Sequence, residues 1–264
     1  MKSWVTSIIM LVTIALYSAC GDSATEITGT LPVVTGITVD SAASKGDTIV
    51  VTWTALTGTE IEGYLFWSRI RQGNPWMLLD VIYQNTAIHI ADRSACYTVM
   101  AFNGDDTSSD PGMSDNTRTD ELSEIRHHFS GTSVGFRIDI EGDSLIPGDP
   151  SSPDFQQQFT VAAETPDGNR YIYSGTANPR LWPGGAETSV SLSAGFVAPS
   201  PDDSTLWQDS VYYGGNFFLA LDSGYYCKLS TSNTVPDTLA FADTLIIEGE
   251  IQPIRHVRVF DQSW

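Results

Sequence analysis

Apolar residues in this chain come in short alternating runs, each closed by Gly, Pro, Asn or Asp, and no other feature constrains the fold as much. DTIVVTWTA (47–55) is the clearest case: Ile49, Val51 and Trp53 fall on one side of an extended chain, and Val50, Thr52 and Thr54 on the other. Long stretches with a helical period are missing, so the expected class is all-β. One exception is TDELSEIR (119–126), where Asp120 could cap a single helical turn and which reads equally well as a linker. The length, 264 residues, suffices for two ordinary domains.

In the first half, IEGYLFWSRI (61–70) places Tyr64 and Phe66 together, and CYTVMAFN (96–103) places Tyr97, Val99 and Ala101 together. With the Trp53 row these make the inward faces of a small sandwich. The opposite parity then carries Leu65, Trp67, Met100 and Phe102, which predicts an exposed apolar row and hence a candidate interface. Either the second domain or an external partner would cover it.

From Ser133 onward eight segments read as strands: SVGFRIDI, FQQQFTVAA, NRYIYSG, TSVSLSAGF, GNFFLALDS, YYCKLSTS, TLIIEGEI and HVRVF. That number suits an antiparallel sandwich, of jelly-roll type among others. GNFFLALDSGYYCKL (215–229) is expected to be a hairpin turning at Asp222-Ser223-Gly224, with Tyr225, Cys227 and Leu229 inward and Lys228 outward. Trp182, Trp207, Tyr212 and Tyr213 are candidate saccharide-binding residues, because flat rings suit sugar faces; the same residue types also fill cores and cover sheet edges.

The N-terminus has Lys2, an apolar run from Ile8 to Leu16 and the small pair Ser18-Ala19 before Cys20, which is the plan of a secretory signal. Its apolar part is about half of the roughly 20 residues a membrane span needs. Tyr17-Ser18-Ala19-Cys20 resembles the lipobox of bacterial lipoproteins, with Tyr17 where leucine is usual. The resemblance implies that Cys20 becomes a lipid-carrying N-terminus, a stable anchor when several acyl chains are buried. The expected organisation is a signal peptide over 1–19, a lipidated tether over 20–30, a first domain over 31–119, a linker over 120–132 and a C-terminal sandwich over 133–264.

Pro32, Trp53, Gly63-Tyr64 and Tyr97-Thr98-Val99 with Ala101 and Asn103 give residues 31–119 the look of a fibronectin type III domain, itself immunoglobulin-like. These residues match the family's start, second, third and sixth strands. The resemblance implies a spacer or binding module, and the Arg-Gly-Asp tripeptide by which some members hold integrins is absent.

Formal net charge is −19, and loss of Lys2 with the signal takes it to −20. Such a surface repels nucleic acid and anionic lipid. No cofactor is indicated. Acids in GDDTSSDPG (104–112) and PDGN (166–169) leave structural calcium open, although no stretch has EF-hand spacing. Cys96 and Cys227 lack metal-ligand spacing and read as two separate buried or half-buried thiols, with a disulfide permitted outside the cytoplasm. No Gly-x-Ser-x-Gly, His-Glu-x-x-His, phosphate loop or dinucleotide turn occurs, so no catalytic residue is assigned. His89, His127, His128 and His256 read as ordinary sheet or surface residues.

The expectation is an envelope lipoprotein, extracytoplasmic and on the outer rather than the inner membrane. It carries non-catalytic binding or structural modules for a protein or polysaccharide ligand. A polysaccharide-binding accessory protein and a hydrolase with a dispersed site are the alternatives.

Overall fold

The computed structural model describes residues 31–57, 60–71, 73–108, 115–128, 132–162, 170–181, 184–192, 195–233 and 244–261. The signal, Cys20 and the tether lie outside them, as do Trp182 and, in the two loops considered for calcium, Asp110 and Asp167. Among the described residues every regular element is a strand, so the protein is all-β. Contacts divide the chain into two units. The first combines the stretch ending at Asp40 with Val50–His89 and Ala95–Asn116; the second combines Ser41–Ile49, Ile90–Ser94 and Thr117–Trp264.

The first unit is built on β1 (Thr35–Val39), β2 (Thr48–Thr54), β3 (Gly63–Arg69), β4 (Met77–Ile82), β5 (Thr86–Ile90), β6 (Cys96–Asn103) and β7 (Asp106–Thr107). One sheet runs β1-β2-β5 and the other β4-β3-β6-β7. Trp53, Gly63-Tyr64 and Tyr97-Thr98-Val99 fall in β2, β3 and β6. The alternation of DTIVVTWTA holds: Ile49, Val51 and Trp53 are buried. Trp53 meets Tyr64 edge-on with ring centroids 5.2 Å apart, and Phe66 stacks on Tyr97 at 5.6 Å. Gly63 has no room for a side chain, since an added Cβ would stand 2.9 Å from the Ile82 carbonyl oxygen.

The row expected to need a cover is buried in the full chain. Leu65, Trp67, Met100 and Phe102 do share one face, because Leu65 pairs with Met100 and Gly63 with Phe102 across β3 and β6. They form a buried cluster, however, each between 5 and 8% exposed, with Trp76, Leu78 and Val81 packed against it. The parity was right and the solvent was on neither side: β3 is buried on both faces along six of its seven residues.

The second unit comprises β8 (Asp120–His128), β9 (Val134–Asp139), β10 (Ser144–Gly148), β11 (Phe159–Val161), β12 (Tyr171–Ser174), β13 (Thr188–Ser191), β14 (Ser210–Tyr212), β15 (Asn216–Leu221), β16 (Tyr226–Asn233) and β17 (Thr244–Gln252). Two five-stranded antiparallel sheets, β10-β9-β11-β12-β14 and β13-β15-β16-β17-β8, enclose one core. Phe136, Phe159 and Ile172 enter it from the first sheet, and Phe217, Leu219 and Leu229 from the second. Phe159 lies 5.0 Å from Phe136 and 5.9 Å from Phe217, so aromatic packing joins the sheets.

Three expectations change here. Residues 120–128 are neither linker nor helical turn but edge strand β8, paired with β17. Leu122 and Ile125 both reach the core although they are three residues apart, because the ladder is irregular between Ile247 and Gly249. A bulge of this kind breaks the period of two and mimics a helical spacing. HVRVF forms no ladder; Val257 and Val259 make single bridges to Gly46 and Val197. The hairpin at Asp222-Ser223-Gly224 forms, with Gly224 at φ 84°, and Cys227 and Leu229 face the core with Tyr225 packed beside them. Lys228, though, is buried: Phe218 and Tyr226 stand beside it on that outer face, Phe260 and Ala198 pack against them, and Phe196 lies against the ammonium.

Cys96 and Cys227 are both free and buried, in different units. Burial pushes the Cys227 thiol far above its ordinary range, which makes it an inert core residue.

Candidate functional site

Alternation along the first sheet of the second unit sends Phe136, Phe159, Ile172 and Val211 inward and places Tyr171, Tyr173 and Tyr212 on the other face. Tyr171 lies directly opposite Tyr212 across β12 and β14. Their ring centroids are 4.8 Å apart at an interplanar angle of 33°, and Tyr173 lies 6.1 Å from Tyr171. Tyr212 is 56% exposed, an unusual value for so large a ring, while Tyr171 and Tyr173 are half-buried. The strands fix the spacing, because β12 and β14 are hydrogen-bonded neighbours and directly opposed side chains on one face meet.

Farther across the same face the sheet is roofed. Phe155 lies over Gly148 and Gly135, where an added Cβ would come within 2.5 Å and 3.1 Å of its ring. Gly184 in turn packs against the carbonyls of Phe155, Pro153 and Ser152. Of the three tyrosines, Tyr212 stays exposed. A groove of about 640 Å³ runs beside the β10 edge, lined by His127, Ser133, Pro147, Asp149 and Leu181 among others. Hydrogen bonds from the Ser151 hydroxyl and backbone N–H hold the Asp149 carboxyl below its usual range, so it faces the groove as an acceptor.

Of the four residues expected to contact saccharide, the structure places one on this face. Tyr212 is there. Tyr213 points the other way, packs against the core and donates its hydroxyl to the Ser232 carbonyl at 2.7 Å. Trp207 belongs to another part of the unit, where its indole N–H donates to the Ser200 carbonyl at 2.9 Å and its ring lies 6.3 Å from Tyr226. Trp182 is outside the described residues. Tyr171 and Tyr173 were not singled out, although their signal is in NRYIYSG: two tyrosines at a spacing of two share a face.

The face is suited to stacking. Three phenol rings offer flat apolar surface together with hydroxyl donors and acceptors, the combination that holds amphipathic ligands. Elsewhere in this unit the Phe136 ring meets the His127 imidazole edge-on at 6.2 Å; in the first unit His89 Nδ1 is 3.2 Å from the Tyr97 hydroxyl. Among the described residues no three His, Cys, Asp or Glu side chains gather as a metal-binding group.

No family model matches the chain, and no curated protein does. Among solved structures, "Titin kinase and its flanking domains" aligns over 84% of this chain and 38% of its own length, at 11% identity and a TM-score of 0.31. A cycloalternan-degrading enzyme from Trueperella pyogenes in complex with isomaltose aligns over 83% of this chain and 30% of its own, at 13% identity and a TM-score of 0.20. The chain therefore spans well under half of either structure.

Proposed function

We propose that this is a non-catalytic binding protein of the bacterial envelope, held by a lipid on Cys20, which takes a polysaccharide on the Tyr171–Tyr173–Tyr212 face of its second unit. The observation that carries the reading is the contact of Tyr171 with the exposed Tyr212 across neighbouring strands. A sheet holds such rings at fixed spacing without cost at binding, and preorganisation is where affinity for flexible chains is gained. The net charge of −19 favours a neutral or cationic glycan over an anionic polymer on this face. An array of neutral polysaccharides probed with detergent-solubilised protein tests the reading: saturable retention of at least one is expected, and retention of none refutes it.

The anchor rests on Tyr17-Ser18-Ala19-Cys20. Replacement of Cys20→Ser is expected to move the protein from the detergent-rich to the aqueous phase on partitioning, because the acyl chains supply the membrane affinity. Unchanged partitioning would remove the lipid from the account. The fibronectin type III-like unit then serves as spacer between the membrane and the binding sandwich, with the outer membrane as the site of attachment.

A further inference from the structure

On a chain with 32 acidic and 13 basic residues, one cavity of the second unit has the opposite character. It measures about 220 Å³ and is lined by Lys45, Arg258, His256, Tyr226, Ser200 and Asp202, with Gly46 and Pro201 completing the wall. Three backbone segments build it. The Gly46 N–H donates to the His256 carbonyl and the Arg258 N–H to the Gly46 carbonyl, both at 2.8 Å, while the Ala198 N–H donates to the Arg258 carbonyl at 2.9 Å. The Arg258 guanidinium lies along Gly46, where an added Cβ would be 2.9 Å from Nη2, and its Nη1 donates to the Ala198 carbonyl. Trp207 braces the third wall through Ser200.

His256 adds a second, independent observation. It has φ 66°, a left-handed conformation that few residues other than glycine adopt and that histidine takes more readily than most. Hydrogen bonds pin it on both sides, to the Gly224 carbonyl through its N–H and to the Gly46 N–H through its carbonyl. Its ring rests on Gly224, where an added Cβ would be 2.5 Å from Cε1. The turn thereby holds the His256 ring at the cavity wall. Burial raises the Tyr226 phenol, with Arg258 opposing and Asp202 reinforcing the shift, so the hydroxyl keeps its proton and is available to donate.

We propose that this cavity binds a small oxyanion, a carboxylate or phosphate group on a compact ligand. Lys45 and Arg258 supply the charge; Tyr226 and Ser200 add neutral donors. At about 30 Å³ per water the space holds roughly seven waters, which limits the ligand to a group of sugar-acid size or smaller. Asp202 sits at the exposed rim and sets a bias against dianions crowded near it. The site lies apart from the tyrosine face and does not depend on its being a glycan surface.

Titration of the protein with acetate, glucuronate and inorganic phosphate at low ionic strength, followed by amide shifts in NMR, tests the proposal. Saturable shifts confined to the 44–46, 198–202 and 254–258 segments are expected for at least one anion, with none for glucose. Lys45→Ala, at an exposed position, should weaken that binding about tenfold, and Arg258→Lys should do so while keeping the charge. A preference for glucuronate over phosphate identifies the group as a sugar carboxylate, and the reverse identifies it as a phosphate. No saturable shift with any of the three anions overturns the proposal. So does binding that both variants retain unchanged.

Discussion

Trp53→Ala should destabilise the first unit by about 3–5 kcal/mol, the loss that truncation of a buried aromatic ring brings. Trp53 is 3% exposed and sits between the inward Val51 on its own strand and the edge of Tyr64 on β3. Its indole N–H has no partner in the protein, so the change removes apolar packing and leaves no orphaned acceptor behind. The backbone at this position is tied to Asn85 from both sides, Trp53 N–H to the Asn85 carbonyl and Asn85 Nδ2 to the Trp53 carbonyl, each at 3.2 Å, and these bonds survive the substitution. The surrounding strands therefore cannot collapse far into the space, which places the expected cost toward the upper end. Urea denaturation followed by circular dichroism measures it. A loss below about 1 kcal/mol, typical of a surface site, would contradict the packing described.

Lys228→Met should cost the second unit about 3–5 kcal/mol, because it strands a buried carboxylate. Lys228 and Glu250 stand opposite each other across β16 and β17 and are 2% and 1% exposed. Glu250 also accepts from the Thr119 hydroxyl and the Asp261 N–H, which hold it in place once the ammonium is gone. Replacing both, as Lys228→Met with Glu250→Leu, should recover most of the loss, since a buried pair and an apolar pair of similar volume are often of comparable stability. The double-mutant cycle reads the coupling directly.

A pH dependence accompanies this. Burial lowers the Lys228 pKa from 10.5, and the charge of Glu250 only partly restores it. Just below pH 10.5 the unfolded chain therefore holds a proton that the folded protein has shed, so stability gains from this group as pH rises through that window. Lys228→Met lacks the gain, and the gap between it and the wild type should widen toward pH 10.5.

Much of the fold is legible in the alternation of apolar residues, and the departures share one cause. A period of two says which side chains share a face; it does not say which face meets water. Trp67 and Lys228 both have the parity expected of them, yet each is buried, Trp67 in a cluster with Leu65, Met100 and Phe102 and Lys228 against Phe196. Apolar residues on both parities, as in GYLFWSR, are the sequence mark of a strand covered on both sides. Residues 120–128 escaped for a different reason: a bulge puts Leu122 and Ile125 on the same face, and a spacing of three reads as helix.

The candidate face was legible in part. Tyr212 is exposed on its strand, whereas Trp207 satisfies its N–H on a backbone carbonyl and stiffens a wall. Nothing local distinguishes those two fates, because the partner of Trp207 sits seven residues away in an irregular segment. The cationic cavity was invisible in sequence, since Lys45 and Arg258 meet only through the single bridge of Gly46 to Val257.

The binding claim is tested most directly by measuring the affinity of Tyr212→Ala for whichever polysaccharide the wild type retains, beside Trp207→Phe as a control at a ring off the face. The account predicts a loss of about 2 kcal/mol, roughly thirtyfold, for Tyr212→Ala, with Tyr171→Ala following it and Trp207→Phe unchanged. Equal affinity of Tyr212→Ala and wild type, with both variants folded, would contradict it.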